Sequence, residues 1–297
     1  MRSPLKGLSV PFTFANINDR SSLVQGEAFF DLATVSAGAV STDAMEAIQN
    51  SDLLHHYAAQ LGDYEPSGII AEADVCAPIP RPRNTFGVGL NYQLHVEEAA
   101  SKTPSTPMVF TKFPSCISGP TDDVIMRSDE CDYEGELLVV IGKDGKDITK
   151  EEAWSHVIGL SVGQDFSDRG VQYKDQPAQF NLGKSFDTFG PIGPYLVSTD
   201  SFTDPSDLEI RTTINGEVRQ NDRTSNMIFD IPILISYISS ITSLAAGDII
   251  FSGTPEGVGF RNGSFLKDGD IVETTIEGIG TMRNRCVRGT DYATTPI

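Results

Sequence analysis

Apolar positions in this chain recur mostly at period two or in short unbroken runs, the rhythm of strands, with only a few short stretches at helical spacing. Residues 9–35 alternate apolar and polar positions around turns, with Gly26 shortly before a Phe-Phe pair, and predict a small sheet. In TDAMEAIQNSDLLHHYAAQL (42–61), Met45, Ile48, Leu53, Leu54 and Tyr57 recur at three to five and predict helix. PIPRPR (78–83) then places three prolines in six residues. Proline has no N–H to donate and biases its predecessor to extended backbone, so a linker is expected there, closing a small N-terminal domain over 1–80. Beyond it, TFGVGLNY (85–92) predicts a strand running into a helix-like QLHVEEAA (93–100). PMVFTKF (107–113), YEGELLVVIG (133–142) and GLSVGQDF (159–166) predict further strands, and DLEIRTTING (207–216) with the EVRQNDRT that follows predicts a hairpin. Thr149 and Glu152 form a capping box that would open a short helix through His156. Asp230 caps a helix with Pro232 in its first turn, expected to end near Gly247. DIIFSGTP (248–255) and DIVETTIEGIGTMRNRC (270–286) close the pattern as late strands. The regular helices that a doubly wound sheet needs between its strands are missing. The expected class is α+β, mostly β, with a main domain over 81–290 and a tail over 291–297.

At 297 residues the chain can hold one large domain or two modest ones. Apolar content is ordinary for a globular protein, so disorder of the bulk is not expected. The net charge of −19 repels phosphate backbones and anionic lipid, which disfavours general nucleic-acid or membrane-surface binding. The four cysteines, Cys76, Cys116, Cys131 and Cys286, form no CxxC, and with only four histidines there is no zinc-finger pattern; free thiols in a reducing compartment fit. No run of eighteen apolar residues occurs, and MRSPLKGLSV has neither an apolar core nor a small-residue cleavage site. A cytoplasmic protein is expected. Arg2, Lys6 and Arg20 precede or flank few acidic residues, but the Arg-rich amphipathic pattern of a mitochondrial leader is weak.

The chemistry concentrates in a few places. In DYEGEL (132–137), Glu134 and Glu136 lie two apart on a strand-like segment, hence on one face. Positions 138 and 140 of that face are Leu and Val, so a solvated edge with alternating glutamates is a poor fit. Two acids on such a face repel each other and lose hydration unless a cation sits between them. Asp165 ends another predicted strand thirty residues on. Three carboxylates at strand ends suit a hard divalent cation: Mg²⁺, Mn²⁺ or Ca²⁺. His95 and Glu98, three apart on a short helix, are neighbours and could make half of a general-base device, although an incidental surface pair reads the same way. Lys184, after an apolar pair and Gly183, could hold a carboxylate or a developing enolate, or be a surface lysine. SGTPEGVG (252–259) lacks the ending of a P-loop and could instead bring backbone N–H groups to a small anion.

Seven blocks in order, FGVGLNYQLHVEEA, PMVFTKFPSCISGP, DYEGELLVVIGK, GLSVGQDFSDRGVQ, LGKSFDTFGPIGP, GDIIFSGTPEGVG and GDIVETTIEGIGTMRN, resemble the fumarylacetoacetate hydrolase family over roughly 84–286. The resemblance implies a rolled, mixed β-sheet fold of that family's C-terminal type behind a small N-terminal domain, and a homodimer. It implies Mg²⁺ or Mn²⁺ held by Glu134, Glu136 and Asp165, with His95 and Glu98 activating water and Lys184 polarising the substrate. It also places Arg169, Gln172 and Thr254 against substrate oxygens, and Thr188, more loosely, at the metal site. One departure stands out: the fumarylacetoacetate hydrolases proper carry another aspartate before the histidine, where this chain has Leu90-Asn91-Tyr92. That turns the resemblance toward the acylpyruvase branch. The implied reaction is hydrolytic cleavage of a C–C bond in a small 2,4-dioxo acid. The alternative, through the same enolate, is oxaloacetate decarboxylation or keto–enol isomerisation or hydration; a member that only binds its ligand is the third reading.

Overall fold

The computed structural model describes residues 10–290; Arg2, Lys6, the leader question attached to them and the 291–297 tail lie outside the described residues. The architecture is α+β and mostly β, as the strand-dominated pattern predicts. A twelve-stranded mixed sheet forms the frame, and a five-stranded sheet packs beside it. A two-stranded ribbon pairs Cys131–Asp132 with Ser167–Asp168.

Strands Gly135–Ile141 and Val157–Gln164 run antiparallel at the centre of the large sheet and are buried along their whole length. Alternation explains why. Leu137, Val139 and Ile141 face one apolar cluster, shared with Ile231, Leu234, Ile235 and Ile238 of helix Ile231–Ile241. Leu138 and Val140 face a second, shared with Phe14, Leu23, Ile48 and Leu54 from the N-terminal segment. A strand covered on both faces has no polar side to present, hence the unbroken LLVVI run. The long helix starts where Asp230 accepts from Ile233 N–H at 2.9 Å, with Pro232 in the first turn. It stops at Ile241, six residues short of Gly247, where Thr242 turns extended.

The N-terminal strands Thr13–Ile17, Arg20–Gln25 and Ala28–Asp31 pair in sequence as a meander, where a small sheet was expected. They continue the large sheet: Thr13 pairs with Val197 and Phe14 with Leu196 of strand Gly190–Val197. The proline-rich stretch 78–83 is partly buried: Ile79 is 0% exposed within the second core, while Arg81 and Arg83 are exposed. Residues 42–61 give two short helices, Ala44–Ala47 and Ser51–Ala58, the second capped by Asn50. Thr149 and Glu152 meet side chain to side chain at 3.1 Å, but the turn that follows is a 3-10 helix, Ala153–His156, starting after Glu152. No helix among the described residues is long and apolar enough to cross a membrane.

Candidate active site

The acidic cluster is built by strand register. Gly135 pairs with Gln164, which puts Glu134 opposite Asp165 at the ends of the two central strands. The pairing is locked by Asp165 N–H donating to the Glu134 carbonyl and by Glu134 N–H donating to Gln164 Oε1, both at 2.9 Å. Glu136 lies two residues along, on the face of Leu138 and Val140. Glu134, Glu136 and Asp165 are all buried, and one ligand oxygen from each lies within 4.8 Å of the others.

Three cations surround this cluster. Lys184 Nζ donates to Glu134 Oε2 and Asp165 Oδ2, each at 2.7 Å, and to Ser167 Oγ at 2.8 Å. It is 2% exposed, so the surface-lysine reading fails. Arg169 donates to Glu134 Oε1 at 2.5 Å and twice to Asp132 Oδ2, at 2.7 and 2.9 Å. Lys112, buried on the far side, donates to Asp165 Oδ1 at 2.7 Å and to the carbonyls of Lys184 and Phe189. Burial works against charge on Glu134, yet Lys184 and Arg169 override it and hold its carboxyl well below the usual range. Burial also opposes charge on Lys184, but Asp165 and Glu134 raise its affinity for the proton, so it stays an ammonium.

Glu136 is different. It accepts Gly253 N–H at 2.6 Å but forms no ion pair among the described residues. Burial, followed by Asp165 and Glu134, pushes its pKa well up. A buried carboxylate flanked by two others, lacking a cation of its own in an all-oxygen donor set, is what a hard divalent ion would neutralise. The residues therefore fit a hard divalent cation.

His95 and Glu98 meet on helix Gln93–Glu98, Nδ1 to Oε2 at 3.2 Å. Gly257 N–H holds both Glu98 oxygens, at 3.1 and 3.2 Å. Gly257 has φ +101° and a Cβ there would lie 2.0 Å from the Arg219 carbonyl oxygen, so the position needs glycine. The 252–259 loop does present N–H groups to anions, but the anions are the protein's own. Gly253 serves Glu136, Gly257 serves Glu98, and Gly259, with Phe260 just beyond, serves Asp132.

A cavity of roughly 570 Å³ joins these groups. Glu134, Lys184, Arg169, Gln172, Thr254, His95 and Glu98 all line it, with Glu136 and Asp165 in the cluster beneath. Gln172 Oε1 accepts from Arg169 at 2.8 Å, while its Nε2 is buried without a partner, a donor free for a ligand oxygen. The Thr254 hydroxyl is already committed, donating to the Gly135 carbonyl and accepting from Gln220, both at 2.8 Å. Thr188 is not brought into the site: its hydroxyl accepts from Ile125 N–H at 2.8 Å. Asn91, within the Leu90-Asn91-Tyr92 stretch, bonds Phe229 N–H and the carbonyls of Phe229 and Ser252, and so ties two loops together. Sequence reasoning missed Lys112 and Asp132. The signal for Lys112 was a charge inside the apolar run PMVFTKF.

A profile of the fumarylacetoacetate (FAA) hydrolase C-terminal region matches residues 84–287. The chain belongs to the fumarylacetoacetate hydrolase family. It is 40% identical over 273 residues to oxaloacetate tautomerase YisK of Bacillus subtilis strain 168, covering 86% of this chain and 88% of that protein. To the human mitochondrial oxaloacetate tautomerase FAHD2A it is 44% identical over 221 residues, 73% of this chain and 70% of that one. Among solved structures, maleylpyruvate hydrolase from Sphingobium sp. SYK-6, in complex with manganese(II) ion and pyruvate, superposes with a TM-score of 0.80 at 28% identity, covering 94% of this chain and 100% of that one. Family members thus include tautomerases and hydrolases, and membership supports metal-dependent enzymatic catalysis without singling out hydrolysis.

Proposed function

We propose that this protein is a metal-dependent tautomerase that interconverts the keto and enol forms of a 2-oxo acid of the oxaloacetate class. The observation that carries the reading is the division of the cavity. Its floor holds buried carboxylates and a fixed ammonium, and its wall holds an imidazole oriented by a carboxylate. The 40% identity to YisK along most of both chains supports the same substrate class.

Mg²⁺ or Mn²⁺ held by Glu134, Glu136 and Asp165 would supply a Lewis acid for the carboxylate and 2-oxo group of the substrate. Lys184 cannot be the base, because Glu134 and Asp165 keep it protonated; it stabilises the negative charge that develops on the enolate oxygen. The free Nε2 donor of Gln172 meets a substrate oxygen. His95 moves the proton between carbon 3 and the enol oxygen, and Glu98, clamped by Gly257, fixes the orientation of the ring. The reaction is an isomerisation, so the proton taken is the proton returned.

Hydrolysis of an acylpyruvate is the second reading. It is favoured by the same His95–Glu98 pair, which could instead take a proton from water that attacks the distal carbonyl. Enol absorbance of oxaloacetate, followed with Mg²⁺ or Mn²⁺, tests the first reading, and release of pyruvate from acylpyruvates tests the second. Tautomerisation that survives exhaustive chelation would overturn the metal-dependent mechanism.

A further inference from the structure

Four aromatic rings around the cavity belong to none of the three hydrophobic clusters that hold the fold together. They form a continuous arc. Phe110 and Phe180 lie 5.9 Å apart between centroids, Phe180 and Tyr173 meet edge to face at 6.2 Å, and Tyr173 stacks on Phe260 at 4.9 Å and 17°. Both ends of the arc rest on cations of the acidic floor: Lys184 Nζ lies 5.3 Å from the Phe110 centroid and Arg169 Cζ 5.5 Å from that of Phe260. All four rings line the cavity, and all four keep part of their surface open, Tyr173 at 39% exposure.

We infer that Phe110, Tyr173, Phe180 and Phe260 form a subsite for an aryl or other planar apolar group carried beyond carbon 2 of a 2-oxo acid. The inference rests on the proposed 2-oxo acid chemistry and extends its substrate class from oxaloacetate to 2-oxo acids with an apolar substituent. A head group seated over Lys184 and the carboxylates sends its substituent into the space that the arc encloses. Apolar surface left partly open around a polar floor gains most by covering an apolar ligand. The arc itself offers apolar faces and no free charge: Arg261, over Phe260 at the rim, already donates to the Ala99 carbonyl.

The test uses three unreactive ligands with one head group: oxamate, N-phenyloxamate and N-oxalylglycine, titrated calorimetrically into the full chain with Mn²⁺. N-phenyloxamate should bind roughly 10- to 100-fold tighter than oxamate, the worth of burying a phenyl ring. Phe180→Ala should cut that gain to within about threefold. Phe180→Leu, which keeps apolar volume but not the ring, should recover only part of it and shows that the effect is not misfolding. Equal binding of oxamate and N-phenyloxamate, or tightest binding of N-oxalylglycine, would overturn the subsite and leave the tautomerase reading standing. Failure of all three to bind, together with no turnover of oxaloacetate enol, would overturn both.

Discussion

Replacing Glu136 by glutamine should stabilise the metal-free protein and abolish its response to metal. Glu136 lies within 4.8 Å of both Glu134 and Asp165 and has no ion-pair partner among the described residues. Charged at 4.8 Å and an effective dielectric near 20, it would be repelled by about 3.5 kcal/mol from each. With burial, this is why its pKa is pushed well up, and folding without metal costs the uptake of a proton that a glutamine does not need. Lys184, bonded to both neighbours, takes back part of this, and a glutamine can still accept Gly253 N–H. A net gain of about 1–3 kcal/mol remains. For a chain of this size that is roughly 2–10 °C in Tm. Metal at about 100 times its Kd adds roughly 2.7 kcal/mol to the wild type, a further shift of about 5–10 °C. Scanning calorimetry of both proteins, with and without Mn²⁺, reads both effects. Glu136→Gln should melt above the wild type without metal and gain little with it. A variant that melts below the metal-free wild type, or keeps the full metal-dependent shift, refutes the picture of a buried acid that needs a cation to ionise.

His95→Ala should lower keto–enol turnover by about 10²–10⁴ while leaving the metal-dependent Tm shift in place; turnover near wild type would make His95 a bystander. Asp132→Asn should cost about 3–5 kcal/mol in urea unfolding, because Asp132 accepts three backbone N–H groups and both Arg169 contacts. An unchanged urea midpoint would show that this network carries no stability. Burial pushes the Cys286 thiol up to about 12 and raises Cys116 and Cys131 as well. In native buffer a thiol reagent should therefore find only the half-buried Cys76, and slowly, with the other three appearing after unfolding.

The acidic cluster was legible because strand periodicity carries chemistry: two glutamates two apart, followed on the same face by Leu and Val, fit a solvated edge poorly. What periodicity could not give was the charge balance. Lys112 and Asp132 act across 53 and 37 residues of sequence, on Asp165 and Arg169, and no local pattern ties such partners together. The glycine-rich loop was readable as a source of N–H donors but not as to their acceptors, since Glu136, Glu98 and Asp132 arrive from other elements. PIPRPR was legible as a break in regular structure but not as a segment that is partly buried, for a physical reason. Proline's missing donor excludes it from ladders, but it also leaves less polar backbone to satisfy, so Ile79 and its neighbours can pack into a core. The His95–Glu98 pair followed from helical spacing, but its anchor, Gly257, needed the fold.

On the proposed mechanism, the choice between tautomerisation and C–C cleavage would not sit in the acid–base machinery, because both need a proton carrier over an enolate and the cavity supplies one arrangement of them. Histidine is the side-chain type that takes and returns protons near neutral pH, and His95 is the one histidine lining this cavity. What differs is the partner facing its ring: carbon 3 of the substrate for tautomerisation, a water for hydrolysis. Whether water reaches that position depends on how completely the substrate fills the arc of Phe110, Phe180, Tyr173 and Phe260. A ring that covers those faces displaces the water there, whereas a small acyl group leaves room for it within roughly 570 Å³. On this reading the acidic floor would support the enolate, and the aromatic wall, whose rings lie in none of the three hydrophobic clusters, would decide which outcome that enolate meets.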